Sequence, residues 1–221
     1  MTTLARGGRI ERVGTDFEVR RRAGGAARYA GGWAKRAIDV LASALLLGLS
    51  LPFWPMLALM VKIGSEGPVF YRQTRMGREG RVFFIRKFRS MIHPAEENGA
   101  LWAGEGDPRI TVVGHVLRRL HLDELPQMLN VLRGDMSLVG PRPERPEFVR
   151  RLAEEILHYD LRHRVKPGIT GWAQVNYPYA SSIEASREKL DWDLFYVLNA
   201  GMALDMKILL RTAFAVLKWR E

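Results

Sequence analysis

Asp123 and Glu124 stand side by side in His121-Leu-Asp-Glu-Leu-Pro-Gln127, with Arg118 and Arg119 just before them and Arg133, Arg142 and Arg145 downstream. Carboxylates beside arginines point to phosphate chemistry: a carboxylate binds a divalent cation or attacks phosphorus, while guanidiniums hold the oxygens. Asp135 adds another acid, and the prolines of Val139-Gly-Pro-Arg-Pro-Glu-Arg-Pro146 fix the backbone around Arg142 and Arg145. An Asp and a Glu opening a helix are also an ordinary way to cap it, so the pair alone leaves two readings open.

The flanking pattern says how these groups are held. Ile110 to Leu122 is helix-prone. Asp123 then suits the N-cap of a second helix, with Pro126 in its first turn, where a missing N–H matters little. Leu125, Met128, Leu129 and Leu132 form one apolar face and Gly134 marks the stop. This arrangement predicts both carboxylates at the positive end of a helix dipole, where a carboxylate stays ionised and a phosphate is welcome.

Upstream, Pro68-Val-Phe-Tyr-Arg-Gln73 and Arg81-Val-Phe-Phe-Ile-Arg-Lys-Phe-Arg-Ser90 read as strands joined through Gly77 and Gly80, a hairpin. On the second strand Lys87 and Arg89 share a face with Phe83 and Ile85, and Arg86 lies opposite. Those cations either guard an edge strand or bind phosphate or a headgroup. Residues 94–108 read as a polar loop.

From Val40 to Val61 no residue is charged. A straight helix of that length reaches roughly 33 Å, enough to cross a bilayer. Pro52 and Pro55 follow Gly48 and Ser50 mid-segment and disfavour a continuous helix, while Ser50 can satisfy a freed backbone group. Both flanks are basic: Arg28, Lys35 and Arg36 before, Lys62, Arg72 and Arg75 after. A single crossing exports one of these clusters; a helix that enters and returns keeps both on the cytoplasmic side. The C-terminal stretch from Met202 to Arg220 mixes apolar with basic residues and is read as an interfacial helix, with packing against the core as the alternative.

The chain has 221 residues, enough for one domain with a real core. Its formal charge of +10 and pI near 10.3 predict an anionic partner. It lacks cysteine, which excludes disulfides, cysteine nucleophiles and thiolate metal sites, and its five histidines show no zinc-site spacing. Residues 1–32 form a basic, Gly/Arg-rich tail without hydrophobic period, too late in its apolar segment for a secretory signal. Residues 33–64 are read as the membrane element and 65–221 as an expected cytoplasmic catalytic domain with interfacial helices.

Six motifs occur in order: Lys35-Arg-Ala-Ile-Asp39, Gly67-Pro-Val-Phe70, Arg86-Lys-Phe-Arg-Ser-Met91, Leu122-Asp-Glu-Leu-Pro-Gln127, Met136-Ser-Leu-Val-Gly-Pro-Arg-Pro-Glu144 and Lys166-Pro-Gly-Ile-Thr-Gly-Trp-Ala-Gln-Val-Asn176. Together they resemble the bacterial sugar transferase family, the monotopic polyprenyl-phosphate phosphoglycosyl transferases, in a short form, from about Trp33 to about Lys218. The resemblance implies transfer of a sugar 1-phosphate from a UDP-sugar to undecaprenyl phosphate, with release of UMP. It implies Asp123 as the attacking nucleophile, Glu124 as a magnesium ligand, and Mg2+ as cofactor. Lys87, Arg89, Arg118, Arg142, Arg145 and Asp205 are the expected phosphate or substrate contacts, although Asp205 could instead pair with Lys207 or Arg211 on a helix surface.

The implied fold is a mostly helical α/β monotopic membrane protein: a re-entrant helix kinked at Ser50, Pro52 and Pro55, a small β-hairpin, catalytic helices and interfacial amphipathic helices. Its expected place is the cytoplasmic face of the bacterial inner membrane, in contact with lipid and serving an exopolysaccharide, capsule or O-antigen; a homo-oligomer is allowed. After Val175-Asn176 the chain reads Tyr177-Pro-Tyr-Ala-Ser-Ser182, where many relatives carry Gly and Arg, a departure that bears on sugar choice. Two rival readings are a membrane-anchored scaffold whose carboxylates only cap helices and a basic nucleic-acid-binding module. No nucleic-acid motif supports the second, and no nucleic-acid partner is expected.

Overall fold

A computed structural model describes residues 26, 28–95, 106–177 and 182–217. The tail reading therefore lies outside the described residues up to residue 25, as do most of the 94–108 loop and residues 178–181 of the departing segment.

The apolar segment is a broken helix. Helix α1 (Trp33–Ser50) ends in a 3-10 turn over Leu51–Phe53, and α2 (Trp54–Gly64) follows. Pro52 lacks the N–H that would continue the ladder, and Pro55 sits in the first turn of α2, where its missing donor is harmless. Ser50 bridges the break: its hydroxyl donates to the Leu47 carbonyl at 3.0 Å and accepts from Trp54 Nε1 at 3.3 Å. The 3-10 turn falls at the prolines.

A hairpin follows, β1 (Phe70–Met76) antiparallel to β2 (Val82–Phe88), paired from Phe70↔Phe88 to Met76↔Val82. Its turn runs through Gly80 at φ 74° and Glu79 at φ 56°, left-handed backbone that only the glycine adopts without strain. Then come α3 (Val112–Arg119), a 3-10 turn (Leu122–Gln127), α4 (Met128–Arg133), β3 (Ser137–Val139), α5 (Pro146–Glu155), a second 3-10 turn (Tyr159–Arg164), β4 (Gly168–Thr170), α6 (Trp172–Asn176), α7 (Ile183–Asn199) and α8 (Met202–Leu217). The described residues are thus mostly helical, as expected. The parallel β3–β4 pair is not foreseen: the segment around Gly168 reads as a turn from its glycines, whereas Gly168–Thr170 is a strand and Trp172 opens a helix. The glycines answer to packing, because a Cβ at Gly168 would overlap the Gly140 backbone.

Both arms of the broken helix pack on the same body. On α1, Asp39 accepts from Ser137 Oγ (3.1 Å) and from the Leu138 N–H (3.0 Å), and Arg36 donates to the Val131 and Leu132 carbonyls at the end of α4. On α2, Leu57 and Val61 join Phe88 and Leu117 in a buried cluster. Between these anchors Leu41, Leu45, Leu49, Phe53, Met56 and Leu59 stay exposed. The main core gathers Val131, Met136, Val139, Tyr196, Val197 and Ile208. Helix α8 packs on the core through Asp205 and Ile208, which are buried, while Met206, Leu210 and Phe214 remain exposed.

Candidate active site

Asp123 and Glu124 lie in the 3-10 turn between α3 and α4, and the local capping differs from the sequence reading. Asp123 is not an N-cap. His121 holds that position, in left-handed backbone at φ 53°, and α4 begins only at Met128. Histidine is among the few side chains that tolerate this region, and the strain sits two residues before Asp123. Gly134 ends α4 as predicted, at φ 94°.

Glu124 is held by side chains from two elements. Lys87 Nζ on β2 meets Glu124 Oε1 at 2.6 Å, and Arg142 Nη2 from the proline-rich loop reaches the same oxygen at 3.3 Å. Burial alone would push the Glu124 carboxyl up; Lys87 and Arg142 overcome it and hold Glu124 well below its ordinary value. Asp123 behaves oppositely. It is buried, and burial raises its carboxyl despite the pull of Lys87, with Glu124 adding to the rise and Arg118 and Arg142 opposing it. Among the described residues no side chain donates a hydrogen bond to Asp123. The two adjacent carboxylates are therefore driven apart: Glu124 is held ionised under two cations, while Asp123 is left without a hydrogen-bond donor.

The expected contacts divide. Lys87 and Arg142 join the dyad, and Arg118 stands close enough to act on the charge of Asp123 while its Nε donates to Ser90 Oγ at 2.8 Å. Arg89 does not face the dyad. Its guanidinium is buried on the carbonyls of Glu66 (2.6 Å), Ser65 (2.6 Å) and Val61 (3.3 Å), where it caps the end of α2. Arg145 turns to Glu147 at 3.5 Å and lies over the Phe148 ring. Asp205 is likewise elsewhere: Lys35 Nζ at 2.6 Å, Tyr29 OH at 3.0 Å and Tyr196 OH at 2.9 Å hold it. Its expected helix-surface partners, Lys207 and Arg211, lie over Trp172 instead. Asp205 thus fastens α8 to α1, away from the dyad.

A second group escapes sequence reading. Arg162 Nη2 donates to the Arg142 carbonyl at 2.9 Å and to Asp193 Oδ2 at 2.7 Å, and its Nη1 donates to Tyr159 OH at 2.7 Å. Glu144 accepts from Lys189 at 2.7 Å and faces Arg75 at 3.8 Å; Lys189, Arg162 and Arg75 outweigh burial and hold its carboxyl down at about 2. The loop that presents Arg142 is therefore clamped from both sides. Nothing in the spacing of residues 162 and 193 announces this, because an isolated Arg and an isolated Asp read as surface charges.

His163, beside this clamp, is pushed down to about 3 by burial and by Arg162. Between the ordinary imidazole range and about pH 3 the unfolded chain binds a proton that the folded chain does not, so stability falls as pH drops. H163Q is expected to reduce the loss of urea midpoint between pH 7 and pH 4.5; a variant as acid-sensitive as the parent contradicts this.

The profile of the family described as bacterial sugar transferase matches residues 30–219. The chain belongs to that family. An Aeromonas hydrophila protein named UDP-N-acetylgalactosamine-undecaprenyl-phosphate N-acetylgalactosaminephosphotransferase is 45% identical over 183 residues, covering 83% of this chain and 43% of that protein. An Escherichia coli K12 protein named UDP-glucose:undecaprenyl-phosphate glucose-1-phosphate transferase is 43% identical over 182 residues, covering 81% and 39%. A Caulobacter vibrioides protein of the same name is 38% identical over 219 residues, covering 98% and 76%. The chain thus spans about two fifths of the length of the first two relatives. The bacterial sugar transferase match takes in the dyad, Lys87, Arg142 and the clamp.

Proposed function

We propose that this bacterial sugar transferase moves a sugar 1-phosphate from a UDP-sugar to a polyprenyl phosphate such as undecaprenyl phosphate. The observation that carries the reading is the opposed pair: an ionised Glu124 under two cations next to an unpartnered, buried Asp123. The names of the relatives support the same reaction.

Asp123 attacks the sugar-linked phosphorus of the donor. A bond forms from its carboxylate oxygen to phosphorus, the bond from phosphorus to the bridging oxygen breaks, and UMP leaves with that electron pair. An oxygen of polyprenyl phosphate then attacks the aspartyl phosphosugar, and Asp123 departs as carboxylate. Lys87, Arg118 and Arg142 hold oxygens of the donor and offset the charge that would repel an anionic nucleophile. Splitting the reaction lets one small site serve a water-soluble donor and a lipid acceptor in turn.

The donor set fits magnesium. Among the described residues no cluster of three acidic or histidine side chains is present, but Mg2+ ordinarily takes one or two carboxylates and completes its shell from phosphate and water. Both cations sit on Glu124 Oε1, so Oε2 is available, and Glu124 with Asp123 would hold the ion. Bound there, magnesium would neutralise the diphosphate. Magnesium-dependent UMP release from a panel of UDP-sugars, with polyprenyl phosphate as acceptor, tests the function. Absence of turnover with every sugar nucleotide would favour the scaffold reading.

We further propose that the kinked helix enters the cytoplasmic leaflet of the inner membrane and returns, with Met206, Leu210 and Phe214 of α8 resting on the interface. Anchoring of both arms to one body, with apolar residues exposed between, supports this. A chain without cysteine permits clean single-site labelling. R28C and K62C are expected to react with an impermeant maleimide only from the cytoplasmic side; labelling from opposite sides would mean a crossing helix.

A further inference from the structure

The face of the hairpin turned away from the dyad carries a second basic site. Lys87 lies on the dyad face against Glu124, and Arg89 is held by carbonyls. Arg86 points the other way and pairs across the strands directly with Arg72. Like charges placed opposite each other destabilise a sheet, so this arrangement needs an anion or a reason. Arg133, at the end of α4, acts on the same guanidinium, and one carboxylate, Asp135, opposes the three cations. Asp135 is itself near Asn130 Nδ2 at 3.4 Å. Arg72 and Arg133 are exposed, and Arg86 Nε is a buried donor with no acceptor among the described residues.

The surroundings choose the kind of anion. Along the same face, in register with the arginine pair, run Phe70↔Phe88 on one side and Thr74↔Phe84 and Met76↔Val82 on the other. Phe84 and Val82 are each about three-fifths exposed, at 63% and 60%. Phe70 stacks on Phe88 at 5.2 Å and touches Trp54 at 5.7 Å, so the face is continuous with the apolar kinked helix. Exposed aromatic and aliphatic groups on both sides of a cation pair match a phosphate that arrives with acyl chains. A soluble phosphorylated ligand leaves Phe84 and Val82 in water.

We infer that Arg72, Arg86 and Arg133, framed by Phe70, Phe84 and Val82, form a docking face for the phosphate headgroups of anionic membrane lipid. The inference rests on the membrane placement proposed above but not on the transfer chemistry. It makes the hairpin a second point of lipid contact, which sets the tilt of the dyad relative to the bilayer.

The test uses the full chain in nanodiscs of phosphatidylcholine doped with spin-labelled phosphatidylglycerol or spin-labelled phosphatidylcholine. Electron paramagnetic resonance reads the fraction of each label held at the protein. R72Q/R133Q changes two exposed side chains outside the proposed catalytic machinery, and R150Q/R151Q on α5 removes the same charge from exposed positions. The parent should hold phosphatidylglycerol in preference to phosphatidylcholine by a factor of roughly five per engaged arginine at most. R72Q/R133Q should lose most of that preference, R150Q/R151Q should keep it, and 1 M salt should collapse it. Equal preference in the parent and R72Q/R133Q, or equal loss in both variants, overturns the inference. Maleimide labelling of R28C and K62C reports separately on the membrane placement, so failure of the two readings can be told apart.

Discussion

D123N is expected to form no radiolabelled phosphosugar adduct with a UDP-sugar and to lower UMP release by at least about 10³-fold, the scale seen when a covalent nucleophile is removed. The geometry adds a second, less obvious expectation. Burial raises the Asp123 carboxyl, with Lys87 pulling the other way, so the folded chain holds this proton more tightly than the unfolded chain. Such a group favours folding at low pH, and its contribution is lost as pH rises through the folded value. Asparagine copies the protonated form at every pH. D123N should therefore be at least as stable as the parent at neutral pH while being inactive, and its stability should lack that pH-dependent fall. An adduct of parental yield would remove Asp123 as nucleophile. A variant that is inactive because it is unfolded would remove the electrostatic account.

D193A is expected to produce the largest loss of stability. Arg162 and Asp193 meet at 2.7 Å with side chains only 2% and 3% exposed, so truncating the acid leaves a guanidinium buried without its charge partner. Breaking such a pair costs about 3–5 kcal/mol, far more than a surface ion pair contributes. A functional effect should accompany it. Arg162 carries the Arg142 carbonyl at 2.9 Å, so a slack clamp moves the cation that helps hold Glu124 ionised. Arg162 is a positioning residue in this account, since it touches Arg142 and not the dyad. The conservative R162K should retain the fold better than D193A yet show weakened donor binding. Its pH profile should shift upward at the acid limb, because Glu124 would lose part of its cationic support. Chemical denaturation in detergent micelles gives the first measurement and pH-dependent UMP release the second. An unfolding midpoint in D193A equal to the parent's, or a parental acid limb in R162K, contradicts the clamp.

The two variants probe different layers. Asp123 sits where motif, residue type and chemistry agree, so sequence alone nominated it. Arg162 and Asp193 are 31 positions apart and meet through the packing of α7 against the second 3-10 turn. A single sequence carries no mark of that contact.

What the chain's order of residues determined by itself is local: the break at Pro52, the hairpin, the stop at Gly134, the uncharged helix and the adjacency of Asp123 and Glu124. These follow from φ restriction, missing donors, alternation and covalent neighbourhood, all of which act within a few residues. Tertiary structure decided everything that depends on which charge is buried beside which. It took Arg89 to the end of α2, turned Arg145 toward Glu147, fastened Asp205 to Lys35 and seated Lys87 on Glu124. It also placed His121, in left-handed backbone, at the cap position expected for Asp123, and buried the Asp123 carboxyl. Long side chains of equal charge look alike in a sequence; only burial and the nearest acceptor distinguish a cap, a clamp and a cation that faces substrate.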